Sequence, residues 1–191
     1  MTKIIFIFSL FLLFFSPTCA AHLYKYDQSL QKGSSLNVPL EFQNGTATIE
    51  DVSNWTASFG EETEPPILLR MDLDNDQKEE ILAELRYARG QQNSAYLVFD
   101  DEEEGYRYLG MLSFSLIHVI KYKEPDRSYI LTSWHHSAFE HTISLDCIKD
   151  KKIINLSSIV LKTDEPSNNP LFGKLFKGNV TEKELLQIFH K

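Results

Sequence analysis

Between Arg70 and Leu82 the chain reads "RMDLDNDQKEEIL". Asp72, Asp74, Asp76 and Glu80 occupy alternate positions, with Lys78 in the remaining slot. Like charges this close repel one another, so the stretch is either a solvated acidic turn or a set of carboxylates gathered on a cation. Hard cations such as Ca²⁺ take six to eight oxygen ligands, and carboxylates at alternate positions of a tight loop can all turn inward on one ion. Counted from Asp72, the acids fall at positions one, three, five and nine, and Lys78 at position seven offers its backbone carbonyl. An EF-hand further needs Gly at position six and a bidentate Glu at position twelve. Those positions hold Gln77 and Ala83, which rules that motif out.

Four other groups of residues bear on chemistry. The run "SWHHSAFEH" contains His135, His136, Glu140 and His141, which suit zinc ligation or acid–base work. Its spacing matches neither H-E-x-x-H nor H-x-x-E-H, and adjacent histidines in a strand point to opposite faces. A second acidic cluster, Asp100 to Gly105 ("DDEEEG"), reads as a solvated hairpin tip that discourages edge pairing. Cys147 reads as a small buried hydrophobe. Trp55 and Trp134 read as core or hairpin anchors.

The elements that would position these residues are mostly strands. "SAYLVF" and "YRYLGMLSF" flank the acidic tip, and "RSYILTSW", "HTISLDC" and "KIINLSSIVL" continue in β-branched and aromatic residues. Asn44-Gly45 sits between two alternating runs in "VPLEFQNGTATIE", the signature of a type I′ hairpin. "TEKELLQIFHK" has Thr181 and Glu184 at capping-box spacing ahead of Leu185, Leu186 and Phe189, which predicts a short C-terminal helix. Asp164 to Pro170 is the turn-rich connector before it.

The segment from Glu79 to Phe114 can be laid over that from Arg127 to Val160. Ile81 then falls 49 residues before Ile130, and Tyr96 and Tyr108 fall 46 residues before Thr142 and Ile154. A period in the forties is that of blade-like β units. It assigns residues 80–87 to a strand equivalent to 128–134, although "KEEILAELRYARG" has high helix propensity.

With this period in view, residues 71–82 resemble the "D-x-D/N-x-D-G-x-x-D" loop of FG-GAP/VCBS-type repeats, the blades of integrin-like β-propellers. The resemblance implies a Ca²⁺ cofactor held by the side chains of Asp72, Asp74, Asp76 and Glu80 with the Lys78 carbonyl. The family has glycines where this chain has Asn75 and Gln77, and the corresponding part of the second unit, Lys121 to Ser128, has lost the acidic ladder. Two or three units cannot close a propeller, which takes at least four blades. The expected fold is therefore mainly β, a small antiparallel sheet or sandwich of blade-like units with a short C-terminal helix.

The N-terminus reads as an export signal: Lys3, an apolar run from Ile4 to Phe15, then Ser16, Pro17 and small residues at Thr18, Ala20 and Ala21. Ser16, Pro17 and Thr18 are a poor match to a lipoprotein signal at Cys19. The organisation expected is a signal over 1–21 and one mostly-β domain over 22–191. That domain divides into an N-terminal hairpin unit (22–65), repeat units over 66–115 and 116–163, and a linker with helix over 164–191. Losing Lys3 with the signal takes the formal charge from −8 to −9. That balance argues against nucleic acid, whose binding needs clustered Lys and Arg. No second hydrophobic span follows the signal. After cleavage Cys147 has no partner for an intramolecular disulfide. Asn44, Asn54, Asn155 and Asn179 each open an Asn-x-Ser/Thr triplet, which matters only in a eukaryotic secretory pathway.

The sequence supports an exported, periplasmic or secreted, non-catalytic binding module for a protein or glycan ligand, with a structural Ca²⁺ loop. Two alternatives stand beside it. One is an exported metal-dependent hydrolase centred on the 135–141 histidine cluster, chiefly His136 and His141. The other is an inhibitor or chaperone of a secreted or envelope protein.

Overall fold

Strand Ser94–Glu102 shows why the fold is layered. Ala95, Leu97 and Phe99 point to one side and Tyr96 and Val98 to the other, and all five are buried. A strand buried on both faces needs a partner layer on each. The computed structural model describes residues 37–59, 66–85, 93–122, 128–137, 140–162, 169–178 and 180–189. The segment expected to be an export signal lies outside the described residues. No helix among the described residues is long and apolar enough to cross a membrane.

Eight strands form two four-stranded antiparallel sheets, each in simple chain order. The first contains β1 (Leu68–Met71), β2 (Glu80–Leu85), β3 (Ser94–Glu102) and β4 (Gly105–Phe114). The second contains β5 (Leu116–Lys121), β6 (Ser128–Ser137), β7 (Glu140–Lys149) and β8 (Lys152–Lys162). The fold is mainly β, as expected.

Between the sheets lie Leu73, Leu82, Tyr96, Val98, Leu109, Leu112, Phe114 and Ile130, with Ile117, Val119, Ile148 and Ile153 packed against them. The outer face of the first sheet carries Ile81, Ala83, Leu85, Leu97 and Phe99. It is covered by helices α1 (Leu40–Asn44) and α2 (Ile49–Ala57) through Phe42, Val52 and Trp55. The outer face of the second sheet carries Leu131, Ile143 and Leu145. It is covered by α3 (Pro170–Lys177) and α4 (Glu182–Phe189) through Phe172, Leu175, Phe176, Leu185 and Phe189. Helices therefore cap both ends of a two-sheet stack, so the apolar outer faces need no further blade. Each fully buried Leu, Ile or Phe contributes about 1.5–3 kcal/mol.

Residues 80–85 are a strand, against their helix propensity. All six are buried, and β2 is flanked by β1 and β3, so pairing and two-sided burial outweigh propensities of under about 1 kcal/mol per residue. Residues 86–92 lie outside the described residues.

The hairpin expected over Val38 to Glu50 is not formed. The left-handed conformation that Gly45 favours (φ 73°) ends a helix here, and the Thr46 N–H donates to the Glu41 carbonyl at 2.9 Å. Thr48 then opens α2 with a capping box. The Asp51 N–H donates to Thr48 Oγ1 (3.1 Å) and the Thr48 N–H to Asp51 Oδ2 (2.7 Å). Among the described residues, a single bridge between Ala47 and Tyr106 is the only β pairing of this segment. The linker expected before the C-terminal helix ends in a further helix, α3. Asn169 Oδ1 accepts from the Leu171 and Phe172 N–H groups, and Pro170 fills the first helical turn. Helix α4 follows Thr181 with the expected capping box, the Thr181 N–H donating to Glu184 at 3.0 Å.

Arg107 ties α1 to the β3–β4 hairpin. Its guanidinium donates to the Gln43 and Asn44 carbonyls and to both Glu102 carboxylate oxygens. Gly45 sits against this clamp: an added Cβ would collide with the Glu102 carboxylate, at a φ that disfavours a side chain. Gly45→Ala is expected to destabilise the protein by about 1–2 kcal/mol. A lower urea midpoint with an unchanged slope would show this. An unchanged midpoint would contradict it.

Candidate metal site

The register places the acidic loop. Met71 at the end of β1 pairs with Glu80 at the start of β2, so residues 72–79 form a closed loop across the strand ends. Within it, carboxylate side chains fold the backbone around themselves. Asp72 Oδ1 accepts from the Asn75 N–H (2.8 Å), Asp74 Oδ1 from the Asp76 N–H (3.1 Å) and Asp76 Oδ1 from the Lys78 N–H (2.7 Å). These are the turns that Asp side chains favour. Asn75 and Gln77 take left-handed conformations, with φ of 72° and 74°. Asn tolerates that region and Gln does so poorly, so the loop holds Gln77 there against its preference.

Asp72, Asp74 and Glu80 each bring one carboxylate oxygen to within 4.8 Å of the other two. This group can hold a metal ion. Glu80 is 1% exposed, and its Oε2 accepts from the Leu73 N–H at 2.5 Å. Asp76 and Lys78, the latter expected to ligate through its backbone carbonyl, are exposed, and the Asp76 carboxylate is not one of the converging three. They line a cleft of about 670 Å³ beside it with Asp74, Asp100, Arg107 and Lys151.

The charges show the cost of this convergence. Burial pushes Glu80 up to about 8, helped by the Asp74 and Asp100 carboxylates and opposed by the Leu73 N–H. Burial likewise raises Asp74 to about 6, with Asp76, Asp100 and Asp72 adding to the effect. Asp72 has a partner that sequence reasoning missed: Lys121 Nζ lies 2.5 Å from its Oδ2. Lys121 ends β5 and pairs with Ser128, so the Lys121–Ser128 pair stands in the second sheet where Met71–Glu80 stands in the first. The repeat alignment could have found it, because Lys121 opens the segment that corresponds to the acidic loop. Two more bonds join the loop to the second sheet, Asn75 Nδ2 to the Tyr122 carbonyl (3.2 Å) and Ser128 Oγ to the Leu73 carbonyl (2.5 Å).

The remaining candidates fall elsewhere. The tip at residues 100–105 is a hairpin, as expected, but it is paired rather than merely solvated. Lys151 bonds Glu102 and reaches Asp100 at 3.5 Å, and with Arg107 it holds the Glu102 carboxyl down at about 2, the Arg107 bond being the larger cause. His136 and His141 do not meet. His136 is the bulged residue of β6, and its Nε2 lies 2.8 Å from Thr142 Oγ1, whereas His141 pairs across the strands with His135. Cys147 is a half-buried free thiol, raised by burial and the Asp146 carboxylate. Trp55 is a core anchor among Phe42, Phe59, Phe99 and Tyr108.

No protein-family model, curated protein or solved structure matches this chain.

The raised Glu80 and Asp74 carboxyls bind their protons more tightly folded than unfolded, so protonation favours folding. That contribution is complete below the ordinary carboxylate range. It is lost as pH rises through about 6 for Asp74 and about 8 for Glu80. In EDTA the melting temperature is expected to fall between pH 5 and pH 8.5, with a Glu80 contribution on the order of 5 °C. Glu80→Gln keeps an acceptor for Leu73 and removes the charge, so it should flatten this slope and raise the melting temperature at pH 8.5. Equal slopes for the two proteins would contradict the assignment.

Proposed function

We propose that this chain is an exported, non-catalytic binding module whose Asp72–Glu80 loop holds one structural Ca²⁺. The observation that carries the reading is the convergence of the Asp72, Asp74 and Glu80 carboxylates at the joint between the sheets. A dication among them would offset both the mutual repulsion and the burial of Glu80. All-oxygen ligation favours a hard cation, and a flexible set of carboxylates, carbonyl and water suits Ca²⁺ better than the stricter octahedron of Mg²⁺. The left-handed Asn75 and Gln77 stand where FG-GAP/VCBS loops carry glycine, and the loop leads directly into the apolar strand β2. Both features support that resemblance.

The cleft beside the loop carries both signs of charge, including Asp100, Arg107 and Lys151. That surface suits a polar partner, a protein or glycan ligand. Export rests on the apolar N-terminal run and the small residues after it. A hydrolase built on His136 and His141 draws less support, since those rings serve different faces of the β6–β7 pair.

With a dissociation constant of about 10⁻⁴ M and about 1 mM free Ca²⁺, mass action stabilises the fold by about 1.4 kcal/mol. For a domain of this size the melting temperature should rise by roughly 3–6 °C. EDTA should remove the rise and Mg²⁺ should reproduce it weakly. Asp72→Ala should abolish it and Asp74→Asn should reduce it. Identical melting curves in EDTA and in millimolar Ca²⁺, with a neutral Asp72→Ala, would mean that the alternating acids are a solvated turn.

A further inference from the structure

Histidines 135 and 141 form a second feature, remote in sequence from the acidic loop. They are directly paired across β6 and β7, with ring centroids 4.3 Å apart and planes inclined by 32°. His141 is 7% exposed, and neither of its ring nitrogens has a hydrogen-bond partner among the described residues. An imidazole always carries at least one N–H, and in the neutral ring the other nitrogen is an acceptor. Leaving such groups buried and unsatisfied destabilises the folded chain. A hydrocarbon side chain would fill the same space without that cost.

The surroundings are those of a held ligand pair. Asn93 grips the backbone of His135 from both sides: its Nδ2 donates to the His135 carbonyl (2.7 Å), and its Oδ1 accepts from the His135 N–H (2.8 Å). Phe172 of α3 lies against His141, with centroids 6.5 Å apart, and forms an apolar wall. His135 is only partly buried, so one side of the pair reaches solvent. Burial first, and then the neighbouring histidines, lower the proton affinity of both rings. A neutral imidazole carries one lone pair that a metal ion can take. His136 is the bulged residue, and its Nε2 lies 2.8 Å from Thr142 Oγ1.

We infer that His135 and His141 form a metal site, separate from the acidic loop, that takes one transition-metal ion of the zinc, nickel or copper class. Imidazole nitrogens suit these ions, whereas oxygen-seeking Ca²⁺ and Mg²⁺ do not prefer them. Each ring would supply one nitrogen at about 2.0–2.1 Å in the case of zinc, and water would fill the positions on the open side. The metal would satisfy a nitrogen of His141 that has no partner among the described residues. The inference does not depend on the proposed Ca²⁺ loop.

Calorimetric titration of the full, EDTA-stripped chain with zinc chloride at pH 7.5 tests it, with nickel as a second probe. About one equivalent of zinc should bind, and His135→Gln and His141→Gln should each weaken binding by about tenfold or more. His136→Gln and Asp72→Ala should leave zinc affinity within about twofold of the wild-type value, which separates this site from the acidic loop. If His141→Gln fails to fold, His135→Gln at the partly exposed position decides. Zinc uptake equal in wild type and His135→Gln would overturn the assignment. So would the absence of zinc and nickel binding at about 0.1 mM metal, or a loss in His136→Gln as large as that in His135→Gln.

Discussion

The peptide groups of Leu73 are the point on which the two sheets depend. Leu73 is fully buried between them, although it belongs to a loop of charged residues. A buried peptide must have its N–H and C=O satisfied. Glu80, the first residue of β2, accepts from the N–H, and Ser128, the first residue of β6, donates to the C=O. The two closing residues stand at equivalent positions of the two sheets and hold the same residue from opposite sides. The apolar side chain of Leu73 then sits in the inter-sheet core with Leu82, Val98 and Ile130.

That arrangement forces a carboxylate into the interior. Glu80 cannot move to solvent without releasing the Leu73 N–H, and Asp72 and Asp74 converge on it because their own side chains shape the loop. Protons offset part of this cost, as the raised Glu80 and Asp74 carboxyls show, and Lys121 offsets another part at Asp72. Both are partial answers. Lys121 is partly exposed at its end of the ion pair, so solvent weakens the attraction. A dication held by all three carboxylates would displace the proton, and ion binding, pH and the docking of the two sheets would then be linked at this loop.

Much of this was legible in the sequence where periodicity and spacing carry the signal. The acidic ladder from Asp72 to Glu80, the strands around residues 94–114 and 128–162, and the Thr181–Glu184 cap all read directly. The strand at residues 80–85 was legible only through the internal repeat, because its local propensity is helical and two-sided burial is a property of the stack. Asn44-Gly45 misled because a left-handed residue ends a helix as well as it turns a hairpin. The Thr48–Asp51 capping box just downstream decides between the two. Lys121, Ser128 and the His135–His141 pair were beyond local reading. Each depends on strand register, and a bulge at His136 shifts which histidine faces His141.

The central claim is that the loop exchanges proton and lysine for a divalent cation. A crystal structure of the protein grown in millimolar Ca²⁺ at about pH 8 tests it most directly. The account predicts one ion with oxygens of Asp72, Asp74 and Glu80 at about 2.3–2.6 Å, and the Lys121 ammonium displaced from Asp72. A loop with no ion, and Lys121 still paired with Asp72, would contradict it.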